Sequence, residues 1–512
     1  RTSSVIHSTV GIPVSGTPWG ADAFNHCPLA VCMAEAEGRR PELIRDTTWL
    51  TAADLLSITG GLIGQVILTH ALLTEDYGLL VVLIDAFALM FMLVDAGLPT
   101  IITRDVPRGR GQGRALVHRT LKIQAVIAAI FLPVGILSGI LIWPDIPTML
   151  LLCCAIIPIV HIFTYAHRSV LRALGEARQE ALVKVIERIV VTSGYALLLW
   201  NGVSDPSLYA LVFLIGVCCS LAWAIWHGER VSKGALNDDG ENILLSPREL
   251  LISALPFAVT LGILPLIGRM EKVFLAVWDS YSSAAMFHIA YIAYLAGLSL
   301  PQALRAAFLP ILGDARNEMD KTLAEVRRAR RLSNLLIPPG LILGAIIVWL
   351  LLPMAFPEQY NDGSLGMSAF EIFLLLLTGW AFTMLAAPTY VEVCAGERPW
   401  MFTLMLAEAA GVAVLAAVLT IPAWGLMGAV FSSIIASLAL LAASIFHSRT
   451  GLDGGISPWL FNVLGIFLAV YIPYLGISEN LPLIPCLLVG LILSFTPWYT
   501  AWPWGSTLLE AE

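Results

Sequence analysis

Arg269 and Lys272 stand inside an apolar stretch, residues 250–278, that is long enough to cross a bilayer. A Lys or Arg near the bilayer centre costs at least about 2.5–3.5 kcal/mol on insertion scales, so such residues face protein or water rather than lipid. Arg269 lies roughly 13 Å inside Trp278 at helical rise, which is near the midplane, and Lys272 sits one turn closer to the Trp278 end. Separated by three residues, the two share one helical face. Glu271 points about 160° away from Arg269 around the axis, so it cannot neutralise both. One reading is a basic pair that holds a phosphate, Arg269 through its bidentate fork and Lys272 as a point charge. The other is an ion pair with a carboxylate on a neighbouring helix, or outward snorkelling of Lys272.

The next stretch, 284–312, carries His288, Tyr291, Ser299 and Gln302 within about 60° of one line along a helix. Such a stripe can bond sugar hydroxyls, or it can join helices to one another. Carboxylates buried in apolar stretches are candidates for proton or sodium coupling: Asp85, Asp95, Glu271, Glu392 and Glu408. Asp85 has a second reading as the partner of Arg269 or Lys272. His161 and Asp54, close to span ends, read as structural.

The elements that position these residues are membrane helices. The chain has 512 residues, 58% hydrophobic and 13% charged, against roughly half apolar and a quarter charged in a soluble domain. A spanning helix needs about 20 apolar residues, and lipid-exposed loops are excluded from the hydrocarbon layer. Fourteen such stretches fit between residues 50 and 499, giving an all-α polytopic membrane protein. All but two of the 29 Lys and Arg residues fall before the first span, in alternate connections or at their edges. The seven intervening connections carry none. That asymmetry places both termini in the cytoplasm, with Trp143, Trp200 and Trp278 at outer ends.

Spans one to six and seven to twelve follow one plan. Glu75-Asp76-Tyr77 precedes the second span, as Asp279-Ser280-Tyr281 precedes the eighth. Gly175-Glu176-Ala177-Arg178 follows the fourth, as Gly396-Glu397-Arg398 follows the tenth. Six helices per unit is an even number, so the halves are parallel and related by an axis along the membrane normal. The expected organisation is a cytoplasmic tail 1–47, an N-lobe 48–228, a linker 229–249, a C-lobe 250–446, and helices 13–14 with a cytoplasmic C-terminus in 447–512. Two parallel bundles with a site between them suit a transporter that opens alternately to each side.

Other chemistry is poorly represented. A net charge of −8 leaves no basic face for nucleic acid. Cys153, Cys154, Cys218, Cys219, Cys394 and Cys486 fall in or beside apolar spans and read as small buried hydrophobes rather than a disulfide framework. His26, Cys27 and Cys32 have loose metal-like spacing without a second ligand pair, so no metal is expected. The first 40 residues lack the order of a cleavable signal and read as a disordered cytoplasmic leader. No phosphate-binding glycine loop, metalloprotease helix or nucleophile elbow occurs, and no cofactor is expected.

The chain resembles the polysaccharide and oligosaccharide flippases of the multidrug/oligosaccharidyl-lipid/polysaccharide exporter superfamily from about Leu50 to Phe446. Three places carry the resemblance. They are Tyr77-Gly78 with Asp95-Ala96-Gly97-Leu98 and Arg104; Arg269 through Phe287, Ala290-Tyr291 and Pro301 to Pro310-Ile311-Leu312; and Gly425-Leu426-Met427-Gly428-Ala429. Where that family has an acidic residue followed by apolar ones in the seventh helix, this chain has Glu271 then Lys272. The resemblance implies movement of a polyprenyl-diphosphate-linked oligosaccharide from the cytoplasmic to the outer leaflet of the cell membrane by a monomer, without covalent chemistry. Its partners would be the lipid-linked sugar, membrane lipid and H+ or Na+. The rival within the superfamily, a cation-coupled multidrug antiporter, favours acidic residues in the cavity and leaves Arg269 and Lys272 unexplained. A membrane-embedded glycosyltransferase or glycan polymerase needs a large outer loop, and the longest here is 357–369.

Overall fold

The computed structural model describes residues 40–235, 243–364, 366–396, 399–479 and 481–501. His26, Cys27 and Cys32, most of the tail 1–47, part of the linker 229–249, and Glu397 and Arg398 lie outside the described residues. No strand occurs among the described residues. The helices are α1 (Arg40–Ala71), α2 (Thr74–Asp95), α3 (Leu98–Asp105), α4 (Gly113–Ile142), α5 (Thr148–Ala173), α6 (Ala177–Trp200) and α7 (Pro206–Gly234). There follow α8 (Pro247–Ile267), α9 (Met270–Trp278), α10 (Tyr281–Gly297), α11 (Ser299–Ala315), α12 (Met319–Ala355), α13 (Ala369–Ala395) and α14 (Pro399–His447). The chain closes with α15 (Ser457–Ser478), α16 (Leu483–Ser494) and α17 (Thr496–Ala501).

Ten described stretches are long and apolar enough to cross a membrane. One of them is two spans, because Gly425 (φ 52°, ψ −126°) interrupts α14. Adding α2, α6 and the broken α8–α9 accounts for the fourteen expected spans, and all three carry ionisable residues inside. The protein is a polytopic all-α membrane protein.

In the first half, α1 packs on α6, and α5 packs on α2, α4 and α7. In the second, α13 is the hub: it contacts α10, α11, α12, α14 and α15. Its residues are buried on every side, the pattern of a helix with no lipid face. Trp380 of α13 donates its indole N–H to the Gly297 carbonyl at 2.8 Å, and its ring fills the space that a Cβ at Gly340 would occupy. Ser368 begins α13 with a capping box: its hydroxyl accepts from Glu371 N–H at 3.2 Å, and its own N–H donates to the Glu371 carboxylate at 2.7 Å. Ser368→Ala should lower the unfolding free energy by about 1 kcal/mol, read as a drop in thermal midpoint in detergent. An unchanged midpoint would show that the cap is dispensable.

The halves meet along α2. It packs on α10, the corresponding helix of the second half, and on α8 and α9. Two glycines allow this approach. A Cβ on Gly78 would strike the backbone of Tyr281, and one on Gly97 (φ 67°) would lie 2.6 Å from Ala258 N. Tyr77, next to Gly78, and Tyr281 therefore sit on either side of one seam.

Several expectations need correcting. The stretch 250–278 is not one helix: it ends at Gly268, and Arg269 (φ −121°, ψ −27°) caps a second segment, α9. Gly268 has poor helix propensity, and the Tyr291 hydroxyl occupies the room a side chain there would need. Arg188 and Arg305, counted among the basic connections, lie within α6 and α11 instead. Cys218 and Cys219 are exposed rather than buried, whereas Cys153 and Cys154 are buried as expected.

Candidate functional site

Midway along the seam, α2 presents Asp85 to the break between α8 and α9. Asp85 is buried and takes two cations from the opposite half. Arg269 donates Nη1–H to its Oδ1 at 3.1 Å, and Lys272 pairs with its Oδ2. The break serves this geometry. It frees Arg269 from helical constraints at the start of α9, while Lys272 remains on the α9 surface one turn on. The Lys272 side chain is almost fully buried, whereas that of Arg269 is 37% exposed. One carboxylate between two cations leaves an excess positive charge at the seam.

Aromatic and imidazole groups complete the surroundings. His288 Nδ1 lies 3.2 Å from Lys272 Nζ, and the Tyr291 ring centre lies 5.4 Å from it. The first contact requires a neutral imidazole that accepts from the ammonium. The His288 Nε2 has no hydrogen-bond partner among the described residues. Tyr77 stands 6.1 Å from the His288 ring and donates its hydroxyl to Gln65 at 2.7 Å. Glu271 turns the other way, as its helical position requires: it is fully buried and accepts from Ser433 Oγ of α14 at 3.3 Å.

The remaining sequence candidates separate from this cluster. Ser299 and Gln302 lie beyond the one-residue interruption at Leu298 and are exposed. The Ser299 hydroxyl bonds the Ala296 carbonyl at 2.8 Å. Asp95, buried at the far end of α2, accepts from Gly97 N–H at 3.3 Å, and its Oδ1 has no partner among the described residues. Glu392 accepts from the backbone N–H groups of Arg449 and Thr450 at 2.9 and 3.2 Å and from the Thr450 hydroxyl at 2.5 Å. It closes the turn after α14. Glu408 pairs with His447 at 2.8 Å, and Asp54 pairs with Lys184.

Two cations inside the helices were missed by the loop-based count. Arg188 donates Nε–H to Ser57 of α1 at 3.1 Å and stands 3.8 Å from Glu187, which also approaches His161 at 3.9 Å. Arg305 lays its guanidinium 3.9 Å over the Tyr390 ring, with Nε and Nη2 lacking partners among the described residues. The signal was present for Arg305, which falls inside a stretch apolar enough to span, and weaker for Arg188, whose helix carries further charges and is not among those stretches.

A sequence profile described as polysaccharide biosynthesis protein matches residues 43–315. The chain belongs to that family. The matched segment runs from α1 through α11 and so contains Asp85, Arg188, Arg269, Lys272, His288 and Arg305. Among solved structures, the lipid II flippase MurJ in an inward closed conformation shares the fold, with a TM-score of 0.60, 14% identity, and 88% of this chain and 98% of that one covered. An inward-facing multidrug resistance transporter of the MATE family in the MOP superfamily matches at TM-score 0.60 and 13% identity, covering 76% and 93%. A MOP superfamily transporter from Pyrococcus furiosus, described as having a binding pocket of reversed polarity, matches at 0.52 and 13%, covering 79% and 94%. No curated protein matches the chain. This member of the polysaccharide biosynthesis family thus shares the fold of those structures, and its central charged cluster joins α2 to α9.

Proposed function

We propose that the protein flips a polyprenyl-diphosphate-linked oligosaccharide from the cytoplasmic to the outer leaflet of the cell membrane for surface glycan synthesis. The basic end of the bundle faces the cytoplasm, and the lobes 48–228 and 250–446 rock about the seam along α2. The single observation that carries the reading is Asp85 shared by Arg269 and Lys272 across that seam. A carboxylate held by two cations of the opposite lobe keeps the place of an anion. A diphosphate offers more charge and more acceptor oxygens, so it displaces Asp85 from Arg269 and Lys272 and unlocks the lobes.

The head group needs this help because a sugar diphosphate cannot enter hydrocarbon unaided. Its polyprenyl tail stays in lipid while the charged part moves from cation to cation. Arg305 and Arg188, deep within α11 and α6, supply further positive charge for it. Tyr291 and His288 then meet the sugar-phosphate portion beside Lys272, with Gln302 nearer the cytoplasm. Release on the outer side restores the Asp85 ion pairs and resets the lobes. H+ or Na+ would drive that return through a carboxylate; Asp95 has an unoccupied acceptor in the seam, whereas Glu392, Glu408 and Glu271 are engaged within the C-lobe.

A cation exporter would need net negative charge at this place, and the cluster has the opposite sign. The deciding experiment removes the protein from cells and identifies the lipid-linked sugar that accumulates on the cytoplasmic leaflet. Absence of any such accumulation, with surface glycans unchanged, would exclude the proposal.

A further inference from the structure

Away from the seam, a second group of cations surrounds a pocket of about 220 Å3 at the basic end of the bundle. It lies where α12 meets the added helices α15 and α17. Arg327, Arg330 and Arg331 come from α12, with Asp453 as the carboxylate among the lining residues. Arg327 holds that carboxylate in a two-point pair at 2.7 and 3.0 Å, which keeps Asp453 below the usual carboxylate range. Arg330 is positioned rather than neutralised. Its guanidinium stacks 4.7 Å over Trp459, it donates to the Thr450 and Asp453 carbonyls at 3.4 Å, and its Nε has no partner among the described residues. Arg331 is exposed and forms no ion pair among the described residues.

The deep wall is polar in a specific way. Asn334 is 3% exposed, and its Nδ2 donates to Thr500 at 3.4 Å, while its Oδ1 is left with no partner. Thr500 in turn donates to Asn462, also 3% exposed. A buried carbonyl oxygen without a donor is costly, and here it lines a cavity. The pocket therefore combines excess positive charge at its rim with a waiting acceptor at its base. Along the same helices, the side chains next toward the apolar interior, Leu335 on α12 and Phe461 and Leu464 on α15, are exposed. They offer a path for acyl chains.

We propose that this pocket binds the phosphate-bearing headgroup of an anionic lipid that also carries a free hydroxyl. The phosphate sits against Arg330 and Arg331, and the hydroxyl donates to Asn334 Oδ1. The site is separate from the Asp85 cluster, so it stands or falls independently of the translocation reading. It ties the added helices α15 and α17 to the C-lobe through a lipid.

The test is retention of phosphatidylglycerol against phosphatidylcholine by the detergent-purified full chain, counted by native mass spectrometry. Native protein should retain phosphatidylglycerol selectively. Arg330→Gln and Arg331→Gln should each weaken retention about fivefold, and Asp453→Asn, which removes the competing carboxylate, should strengthen it. A gain cannot arise from misfolding, so this third variant guards against a merely damaged protein. Equal retention by native protein and Arg331→Gln would overturn the proposal. So would millimolar inorganic phosphate displacing phosphatidylglycerol completely with no preference between the two lipids, since that outcome assigns the pocket to a soluble phosphate.

Discussion

Lys272→Ala should reduce translocation of the lipid-linked sugar by at least roughly 10- to 100-fold while the protein still inserts. A charge-assisted hydrogen bond to phosphate contributes about 1.5–3 kcal/mol, and every 1.4 kcal/mol is a factor of ten. Lys272 is the more telling of the two cations because its side chain is almost fully buried and its surroundings, Asp85, His288 and Tyr291, leave it no alternative in solvent. Loss of activity alone would not separate substrate binding from stability, because removing one partner of a buried pair leaves an uncompensated charge and is itself strongly destabilising. The apolar triple variant Asp85→Leu, Arg269→Met and Lys272→Met resolves this, because it removes the shared carboxylate together with both of its cations. Replacing a buried ionic group as a whole by hydrophobic residues of similar volume is often neutral or stabilising, so the triple variant should keep its native thermal midpoint and remain inactive. Native transport rates in that variant would mean that the ion pairs only fasten the lobes together.

How much of this was legible follows from what each signal depends on. The number of spans and their basic and acidic ends could be read because hydrocarbon thickness and the energetics of charge act on local composition. Arg269 and Lys272 could be found for the same reason: each breaks an apolar run. Asp85 could be named as a candidate partner of Arg269 or Lys272, but not chosen over its ion-coupling reading nor seen to serve both, since the ion pairs join residues separated by 184 and 187 positions and sequence spacing carries no information about which helices face each other. Arg188 and Arg305 were hidden differently. Counting cations by connection absorbed them into neighbouring basic loops, although both lie within helices. Glu392 looked like an ion-coupling residue because a buried acid in a span is costly, yet two backbone N–H groups and a hydroxyl satisfy it. The break at Gly268 was legible in part: Pro256 and Pro265 in the same stretch favour a bend beside Arg269, but its place at Gly268 could not be read, because glycine is common in membrane helices and only the Tyr291 hydroxyl lying against it gives the position a reason.

Gly78→Val should open the seam at the acidic end and stop transport. The side chain of residue 78 would meet backbone atoms of Tyr281, which cannot rotate aside as a side chain can, so α10 must move away from α2. Ser283, buried in the first turn of α10, reports that movement. In a cysteine-free background, Ser283→Cys should react with a membrane-impermeant maleimide at least about tenfold faster when Gly78→Val is also present, since opening exposes a group that native packing protects. Gly97→Ala provides the opposite control. Its positive φ and the backbone of Ala254 and Ala258 only 2.6–2.9 Å from a Cβ place the strain at the basic end of the same seam, so Ser283→Cys should stay protected there while transport is again impaired. The pair distinguishes lobes that separate at one end at a time from a bundle that loosens as a whole. If either glycine substitution exposed residue 283 equally, or if Gly78→Val left both labelling and transport at native levels, the closed seam along α2 would not be the element that moves.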